Sequence, residues 1–145
     1  MDRALLRLLR TRGHAPAVER AAALYARAGE NGVLWFALAL VTRNRRAARV
    51  VGAALLANTA IKQLVRRQRP DLGPDLAPLA STISSLSYPS AHATTSFAAA
   101  GALGPSLPLY AAAGAMALTR PYLAVHYPSD VVAGAALGVA LEKLL

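Results

Sequence analysis

Cysteine is absent from the chain, and its absence excludes several kinds of site. There is no disulfide framework, no thiolate metal site and no cysteine nucleophile. Acidic residues are scarce as well, because seven Asp and Glu stand against 16 Lys and Arg, which leaves a formal net charge of +9. The 145 residues have the length of one domain, so we expect residues 1–145 to form a single unit.

Charge is missing altogether from residues 76–119, a stretch of 44 residues without Lys, Arg, Asp or Glu. The first 27 residues, in contrast, contain six arginines. The hydrophobic content of 55% excludes a disordered basic tail and argues against a nucleic-acid partner. A long charge-free stretch in a chain with an arginine-rich start is typical of a protein that lies partly in lipid. We expect a multi-pass protein of a cell membrane, and the arginine- and alanine-rich composition fits a bacterial plasma membrane.

Residues 1–30 read as an amphipathic N-terminal segment. A helix over residues 3–12 places arginines opposite an apolar side, which is the pattern of a helix lying at a membrane interface. An ordinary surface helix packed on a core explains the pattern equally well. A second helix is expected from Pro16 to Gly29, since proline suits the first turn. The apolar side of the first helix consists of Leu5, Leu6, Leu8 and Leu9.

Residues 31–145 should form a helical core. Each uncharged run has only about a dozen residues whereas a full span needs about 20, so spanning requires flanking arginines to snorkel. The sequence therefore predicts an all-α membrane bundle of four to five spans, with a soluble helical bundle as the alternative. The apolar runs are Asn31–Thr42, Val50–Ile61 with a helix continuing to Pro70, Ala93–Thr119 with a break at 104–108, and Val131–Leu141.

The first polar segment that interrupts these runs contains Lys62 and Arg69. They are seven positions apart, which places them on one helical face with Arg66 between them. Cations grouped at the end of an apolar helix can grip a phosphate. They can equally serve as headgroup anchors. Residues 71–88 follow as a loop rich in Asp, Pro, Gly and Ser.

The second polar segment lies where this loop meets the next helix. Ser90 is a good N-cap, and the free backbone N–H groups of a first helical turn form a ready anion site. His92 falls in that first turn, within reach of a bound anion. A plain capping motif with an incidental histidine is the alternative.

The third polar segment runs from Arg120 to Asp130. Pro128 fits the first position of a new helix, so Asp130 falls in its first turn and can fold back toward His126. A carboxylate that holds an imidazole fixes its tautomer and raises its basicity. The alternative is that Asp130 only complements the helix N-terminus.

Their joint placement favours the functional interpretation of all three segments. If consecutive helices alternate in direction, the three segments meet at one end of the bundle. Three cations, two histidines and one carboxylate would then surround a helix N-terminus. That set of groups is suited to phosphoryl transfer and leaves no ligands for a metal.

The segments resemble the three signature motifs of the type-2 phosphatidic acid phosphatase superfamily, K-x6-R-P, P-S-G-H and S-R-x5-H-x3-D. The resemblance covers residues 62–130 in the family's order. Two positions depart from it, since Ala91 replaces a glycine and Thr119 a serine. Because the backbone N–H of Ala91 can still donate, we expect the alanine to adjust phosphate binding and not to abolish it. The motifs read Lys62…Arg69-Pro70, Pro89-Ser90-Ala91-His92 and Thr119-Arg120…His126…Asp130.

The resemblance implies a phosphate cradle. In it, Lys62, Arg69 and Arg120 would neutralise the phosphate oxygens. Ser90 and the N–H of Ala91 would complete the set of donors. No metal and no organic cofactor is implied.

The resemblance also implies the catalytic roles. His126 would attack phosphorus and form a phosphohistidine, with Asp130 holding its tautomer. His92 would protonate the leaving alkoxide and then act as base for the hydrolytic water.

A lipid carrying a phosphate monoester or pyrophosphate is the substrate class that the resemblance implies. Isoprenoid (pyro)phosphates, phosphatidic acid and phosphatidylglycerol phosphate all fit, and the decaprenylphosphoryl-phosphoribose phosphatases of cell-wall assembly are a narrower alternative. A soluble acid phosphatase or haloperoxidase-like relative and a non-enzymatic basic membrane anchor stay open. The expected partners are the lipid substrate and the membrane, and pairing with a second copy of the chain stays open.

Overall fold

Seven α-helices follow one another along the chain, without a β-strand. The computed structural model describes residues 1–145 and confirms the all-α prediction. Single-turn 3-10 helices lie at Glu30–Gly32 and Pro74–Leu76. The α-helices are α1 (Asp2–Thr11), α2 (Pro16–Ala28), α3 (Val33–Val41), α4 (Arg45–Val65), α5 (Ala91–Ala102), α6 (Leu107–Tyr122) and α7 (Pro128–Leu144).

Several helix ends follow directly from local sequence. Ser90 is the N-cap of α5, and Pro16 and Pro128 occupy the first turns of α2 and α7. The break predicted at 104–108 is confirmed, because α5 ends at Ala102 and α6 begins at Leu107. The charge-free stretch therefore contributes two antiparallel neighbours and not one long helix.

Helix α4 ends earlier than the sequence indicated. Its last residue is Val65, and Arg66 caps it in the left-handed conformation with φ 53°. The prediction that the helix continues to Pro70 is wrong. Residues 66–70 instead leave the helix and pair with the end of the long loop, where the Ser87 N–H donates to the Arg67 carbonyl at 2.8 Å. Lys62 and Arg69 therefore do not share a helical face, and Arg66 is exposed to solvent.

Helix α5 lies at the centre of the bundle. It packs against α4, α6 and α7, and ten of its twelve residues are buried. Its sequence consists largely of Ala, Ser, Thr and Gly, so neighbouring helices approach it closely on every side. The N-terminal turn of α5 thereby sits among the ends of the other helices.

Two glycines one helical turn apart, Gly134 and Gly138, bring α7 against α5. A Cβ at position 134 would lie 2.5 Å from the Ser90 carbonyl oxygen, and a Cβ at position 138 would collide with the Thr94 carbonyl. Only glycine permits this approach. It places Asp130, one turn before Gly134, beside the N-cap of α5, where the Ser90 N–H donates to the Asp130 carbonyl at 2.9 Å.

The predicted helix over residues 3–12 forms as α1. Of its four leucines only Leu6 is fully buried, in a cluster with Leu72 and Ala124. The other three are partly exposed. Helix α1 therefore packs at the end of the bundle where α6 passes into α7, with one leucine as its anchor.

Large hydrophobic side chains lie on the outside of several helices, while the interior holds many alanines and small polar residues beside larger side chains such as Trp35 and Met116. Even so, no helix combines the length and the apolar character that crossing a membrane requires. The four to five spans stay a prediction. The most exposed of these side chains on the outer helix faces include Leu40, Leu56, Leu64, Leu118 and Val132.

Candidate active site

The structure brings the three polar segments together around one cavity of about 250 Å³. The cavity lies at one end of the bundle, where α4 ends, α5 begins and α6 passes into α7. Cations, histidines and a helix N-terminus all face it. Its wall includes six of the predicted site residues: Lys62, Arg69, Ala91, His92, Arg120 and His126.

Arg120 lines the cavity from the last turn of α6 with no partner of its own. It is only 5% exposed, yet its guanidinium makes no hydrogen bond and no ion pair within the protein, and its buried Nε is unsatisfied. An arginine desolvated in this way is costly unless an anion accompanies it. The unpaired guanidinium therefore points to a bound anion.

Arg69 is held in place by backbone carbonyls. Its Nε donates to the Ser84 carbonyl at 2.6 Å, and its Nη1 donates to the Val125 carbonyl at 2.6 Å. These bonds fix the guanidinium without neutralising it, because no carboxylate pairs with it. The chain reversal after α4, and not helical periodicity, delivers this cation to the cavity.

Lys62 enters from the last turn of α4 and also donates to a carbonyl, that of Leu86, at 3.2 Å. Burial lowers the pKa of Lys62 to about 8, and the positive charge of Arg69 adds to this, while Asp130 opposes it. The ammonium stays protonated at neutral pH. An approaching phosphate thus meets three cations without carboxylate partners.

The first turn of α5 supplies backbone donors. The N–H groups of Ala91 and His92 have no partner within the protein. Ser90 behaves as the predicted N-cap, and its Oγ accepts from the Ala93 N–H at 3.5 Å. Ser90 is fully buried and is not part of the cavity wall.

His126 sits in the turn between α6 and α7 with its ring fixed from both sides. Its Nε2 lies 3.0 Å from Nη1 of Arg69, and its Nδ1 lies 3.5 Å from Oδ2 of Asp130. Because arginine can only donate, Nε2 must accept, and the proton of the neutral ring is on Nδ1. The lone pair of Nε2 therefore points toward Arg69, which lines the cavity beside His126.

The contact between His126 and Asp130 is long. At 3.5 Å Nδ1 and Oδ2 do not form a hydrogen bond, and the buried Nδ1 has no other partner. Catalytic hydrogen bonds are often long before substrate arrives and tighten as charge develops. Asp130 also accepts from the Tyr127 N–H at 2.9 Å, so it complements the helix N-terminus as well as facing the histidine.

Burial lowers the pKa of His126 to about 3. The carboxylate of Asp130 opposes this effect, and the charges of Arg69 and Arg120 add to it. His126 is consequently neutral over the whole physiological range. A neutral imidazole, which keeps a lone pair on one ring nitrogen, is the form that a nucleophile requires.

His92 lies in the first turn of α5, outside the apolar runs. Its Nε2 contacts the Ala26 carbonyl at 2.9 Å, and Nδ1 is the ring nitrogen left without a protein partner. The pKa of His92 is lowered to about 3, mainly by burial and secondly by the positive charge of Arg120. The hydrogen bond to the Ala26 carbonyl opposes both effects. A bound phosphate would offset the nearby cations and raise this pKa again.

One charged partner of Asp130 lies outside the predicted motifs. The guanidinium of Arg67 donates from Nη1 to Oδ1 of Asp130 at 2.9 Å. Arg67 occupies one of the unspecified positions between Lys62 and Arg69, and no local pattern distinguishes it from Arg66. No group of three or more His, Asp or Glu side chains is arranged to hold a metal ion.

Comparison with known proteins identifies similar chains. Residues 45–145 match the sequence model of the PAP2 superfamily. A decaprenylphosphoryl-5-phosphoribose phosphatase of Mycobacterium tuberculosis is 45% identical over 129 residues, which cover 81% of this chain and 72% of that protein. A lipid A 1-phosphatase of Rhizobium johnstonii is 37% identical over 105 residues, covering 66% of this chain and 43% of that protein.

The fold also matches a solved structure. The transmembrane PAP2 type phosphatidylglycerolphosphate phosphatase of Bacillus subtilis superposes with a TM-score of 0.72 and 24% identity. The match covers 99% of this chain and 81% of that one. At this identity the likeness concerns the helical fold.

Proposed function

The chain belongs to the PAP2 superfamily and is a phosphatase of that family, and on this premise we propose that it hydrolyses a lipid phosphate through a phosphohistidine on His126. The unpaired, buried guanidinium of Arg120 is the observation that carries the proposal. It lines the same cavity as His126. An anion bound by Arg120 therefore lies beside the nucleophile.

Positive charge in the cavity attracts the phosphate of the substrate. Lys62, Arg69 and Arg120 surround the phosphate, and the N–H groups of Ala91 and His92 add donors from the N-terminus of α5. These groups are fixed before substrate arrives, so little reorganisation is needed when negative charge spreads over the phosphoryl oxygens in the transition state. Ser90 acts by holding the helix turn.

The first chemical step transfers the phosphoryl group to the enzyme. When phosphate binds, Nη1 of Arg69 donates to a phosphoryl oxygen instead of to Nε2 of His126. The freed lone pair of Nε2 forms a bond to phosphorus while the bond from phosphorus to the leaving oxygen breaks. The ring becomes positively charged, and Asp130 stabilises it at Nδ1. His92, protonated in the substrate complex, gives its proton to the leaving alkoxide.

The second step releases phosphate. His92, now neutral, takes a proton from a water molecule as that water attacks the phosphohistidine. The bond between phosphorus and Nε2 breaks, and the electron pair returns to His126. The proposed steps therefore return His126 to its starting form and use only residues of this chain and water.

The outer surface supports a membrane location. Leucine and valine side chains that are 65% to 82% exposed lie on the outside of several helices, including Leu40, Leu56 and Leu64. Burying these side chains in lipid removes their apolar surface from water, which favours a membrane location. The small residues of α5 let the helices pack closely, as in membrane bundles. This favours a membrane enzyme over a soluble acid phosphatase.

The cavity also indicates what kind of headgroup carries the phosphate. Its volume of about 250 Å³ exceeds what one phosphate group fills, and only three of its 16 lining residues are hydrophobic. Polar walls suit a hydroxylated leaving group, such as the phosphorylated pentose in the name of the Mycobacterium tuberculosis relative. We propose a lipid-linked sugar phosphate as the preferred substrate. Polar residues beyond the cradle include Glu30, Asn31, Thr59, Gln63 and Thr82.

A phosphate-release assay on purified protein in detergent tests this proposal. The panel contains decaprenylphosphoryl-5-phosphoribose, phosphatidic acid, phosphatidylglycerol phosphate and an isoprenoid pyrophosphate, with the His126→Ala variant as the blank. We expect turnover that disappears in the variant and is fastest with the sugar phosphate. Equal rates on phosphatidic acid would reject the sugar preference, and release that persists in the variant would reject the mechanism.

A further inference from the structure

A second set of polar contacts lies behind Asp130, outside the cavity. Arg67 donates from Nη1 to Oδ1 of Asp130 at 2.9 Å and to the Ser129 hydroxyl at 2.8 Å. Its Nη2 donates to Oδ2 of Asp2 at 2.8 Å, and its guanidinium lies 4.0 Å from the centre of the Tyr127 ring. One side chain thus joins the start of α1 to the start of α7.

The two carboxylate oxygens of Asp130 have different partners. Oδ2 faces Nδ1 of His126 and accepts from the Tyr127 N–H, while the only side-chain donor to Oδ1 is Arg67. Asp130 is completely buried. Loss of Arg67 would leave a buried carboxylate oxygen without a partner and the carboxylate free to turn away from the histidine.

Arg67 is in turn held by Asp2. The carboxylate of Asp2 also accepts from the Ser129 N–H at 3.1 Å and contacts the Ser129 hydroxyl, so it closes a ring around the first turn of α7. Leu6 fixes α1 at this place through its burial against Leu72. Helix α1 lies outside the part of the chain that matches the family model.

We propose that Arg67 is the positioning residue of the His126–Asp130 pair, and that Asp2 holds Arg67 so that helix α1 completes the active site. The inference rests on the proposed function, in which Asp130 orients the nucleophile. Arg67 does not line the cavity and so has no direct part in binding phosphate. Its influence should fall on the chemical step and leave substrate affinity unchanged.

Steady-state kinetics of Arg67→Gln against Arg66→Gln tests the first half of the proposal. Arg66 is the exposed neighbour without side-chain partners, so its variant controls for the loss of one positive charge. We expect Arg67→Gln to lower kcat by about 10- to 100-fold, the range seen when a residue that orients a metal ligand is lost, with KM unchanged. Arg67→Lys should restore only part of kcat, because lysine cannot reach Asp130 and Asp2 at once.

A double-mutant cycle tests the second half. If Asp2 acts through Arg67, Asp2→Asn lowers kcat in the wild-type background and causes no further loss in the Arg67→Gln background. Thermal unfolding of each variant identifies any that fold poorly. If Arg67→Gln is one of them, Arg67→Lys takes its place in the cycle with Asp2→Asn.

The possible failures are distinguishable. Absence of turnover in the wild-type protein on every lipid phosphate would reject the proposed function. An active wild type with Arg67→Gln equal to Arg66→Gln, a loss carried by KM, or additive effects of the Asp2 and Arg67 variants would each overturn the positioning role.

Discussion

Nε2 of His126 and Nη1 of Arg69 lie 3.0 Å apart. The same arginine is anchored by the carbonyls of Ser84 and Val125, so it has two functions. It fixes the ring of His126 by donating to Nε2, and it presents a positive charge in the wall of the cavity, where the phosphoryl oxygens would bind. The proposed nucleophile and a proposed phosphate ligand are therefore held in one fixed arrangement.

Substitution of Arg69 should consequently be severe. We expect Arg69→Gln to lower kcat by about 100- to 1,000-fold, the range seen when one preorganised transition-state donor is removed. Arg69→Lys should not recover it, because an ammonium cannot contact two carbonyls and the imidazole in the same geometry. Phosphate release measures the effect. Arg49→Gln, an exposed arginine near the other end of α4, is the control, and an equal loss there would contradict a specific role.

Protein stability should depend on the neutral form of His126. Its pKa is about 3 in the folded protein against 6.5 ordinarily, so the unfolded chain binds the proton more readily. Stability from this group is complete above pH 6.5 and is lost as pH falls toward 3, by up to about 1.4 kcal/mol per pH unit. Thermal unfolding in detergent between pH 7 and 4 should show a steeper decline for the wild type than for His126→Gln. Parallel declines would contradict a buried neutral histidine.

The close approach of α7 to α5 can be tested at Gly134. A methyl group there would lie 2.5 Å from the Ser90 carbonyl, so Gly134→Ala should destabilise the protein by about 1–3 kcal/mol, as overpacking does. It should also lower kcat, because Asp130 is one turn away. Gly114→Ala in α6 is the matched control, since a Cβ there meets nothing within 4 Å. Melting temperatures of both variants provide the measurement, and equal values would argue against the contact.

Chelation of divalent metals should leave activity unchanged. The proposed steps use only side chains and backbone donors of this chain, so EDTA during purification and assay should not lower phosphate release. Restoration of activity by added magnesium after such treatment would count against the mechanism.

The local features of the site were predictable because short-range rules determine them. Ser90 is a cap by its type and position, and Pro128 sets the helix start that places Asp130 in the first turn. The meeting of Lys62, His92 and Arg120 followed from helices that alternate in direction. The spacing of the motifs therefore sufficed to predict most residues of the candidate site.

Long-range contacts decided what the sequence did not reveal. Helix α4 stops at Val65 because residues 66–69 pair with the end of the loop, which helix propensity alone does not indicate. The contact between Arg67 and Asp2 joins positions 65 residues apart, and Arg66 looks the same in the sequence. Burial of Leu6 alone among the four leucines of α1 likewise depends on tertiary packing.

Isolation of the phosphorylated enzyme tests the central proposal most directly. Protein mixed with a substrate labelled at the phosphate and quenched in alkali, where phosphohistidine survives, should carry label on the peptide that contains His126. His126→Ala should carry none, and His92→Ala should retain label longer because hydrolysis has lost its base. Turnover without any labelled protein, or label on another residue such as Ser90, would contradict His126 as the nucleophile.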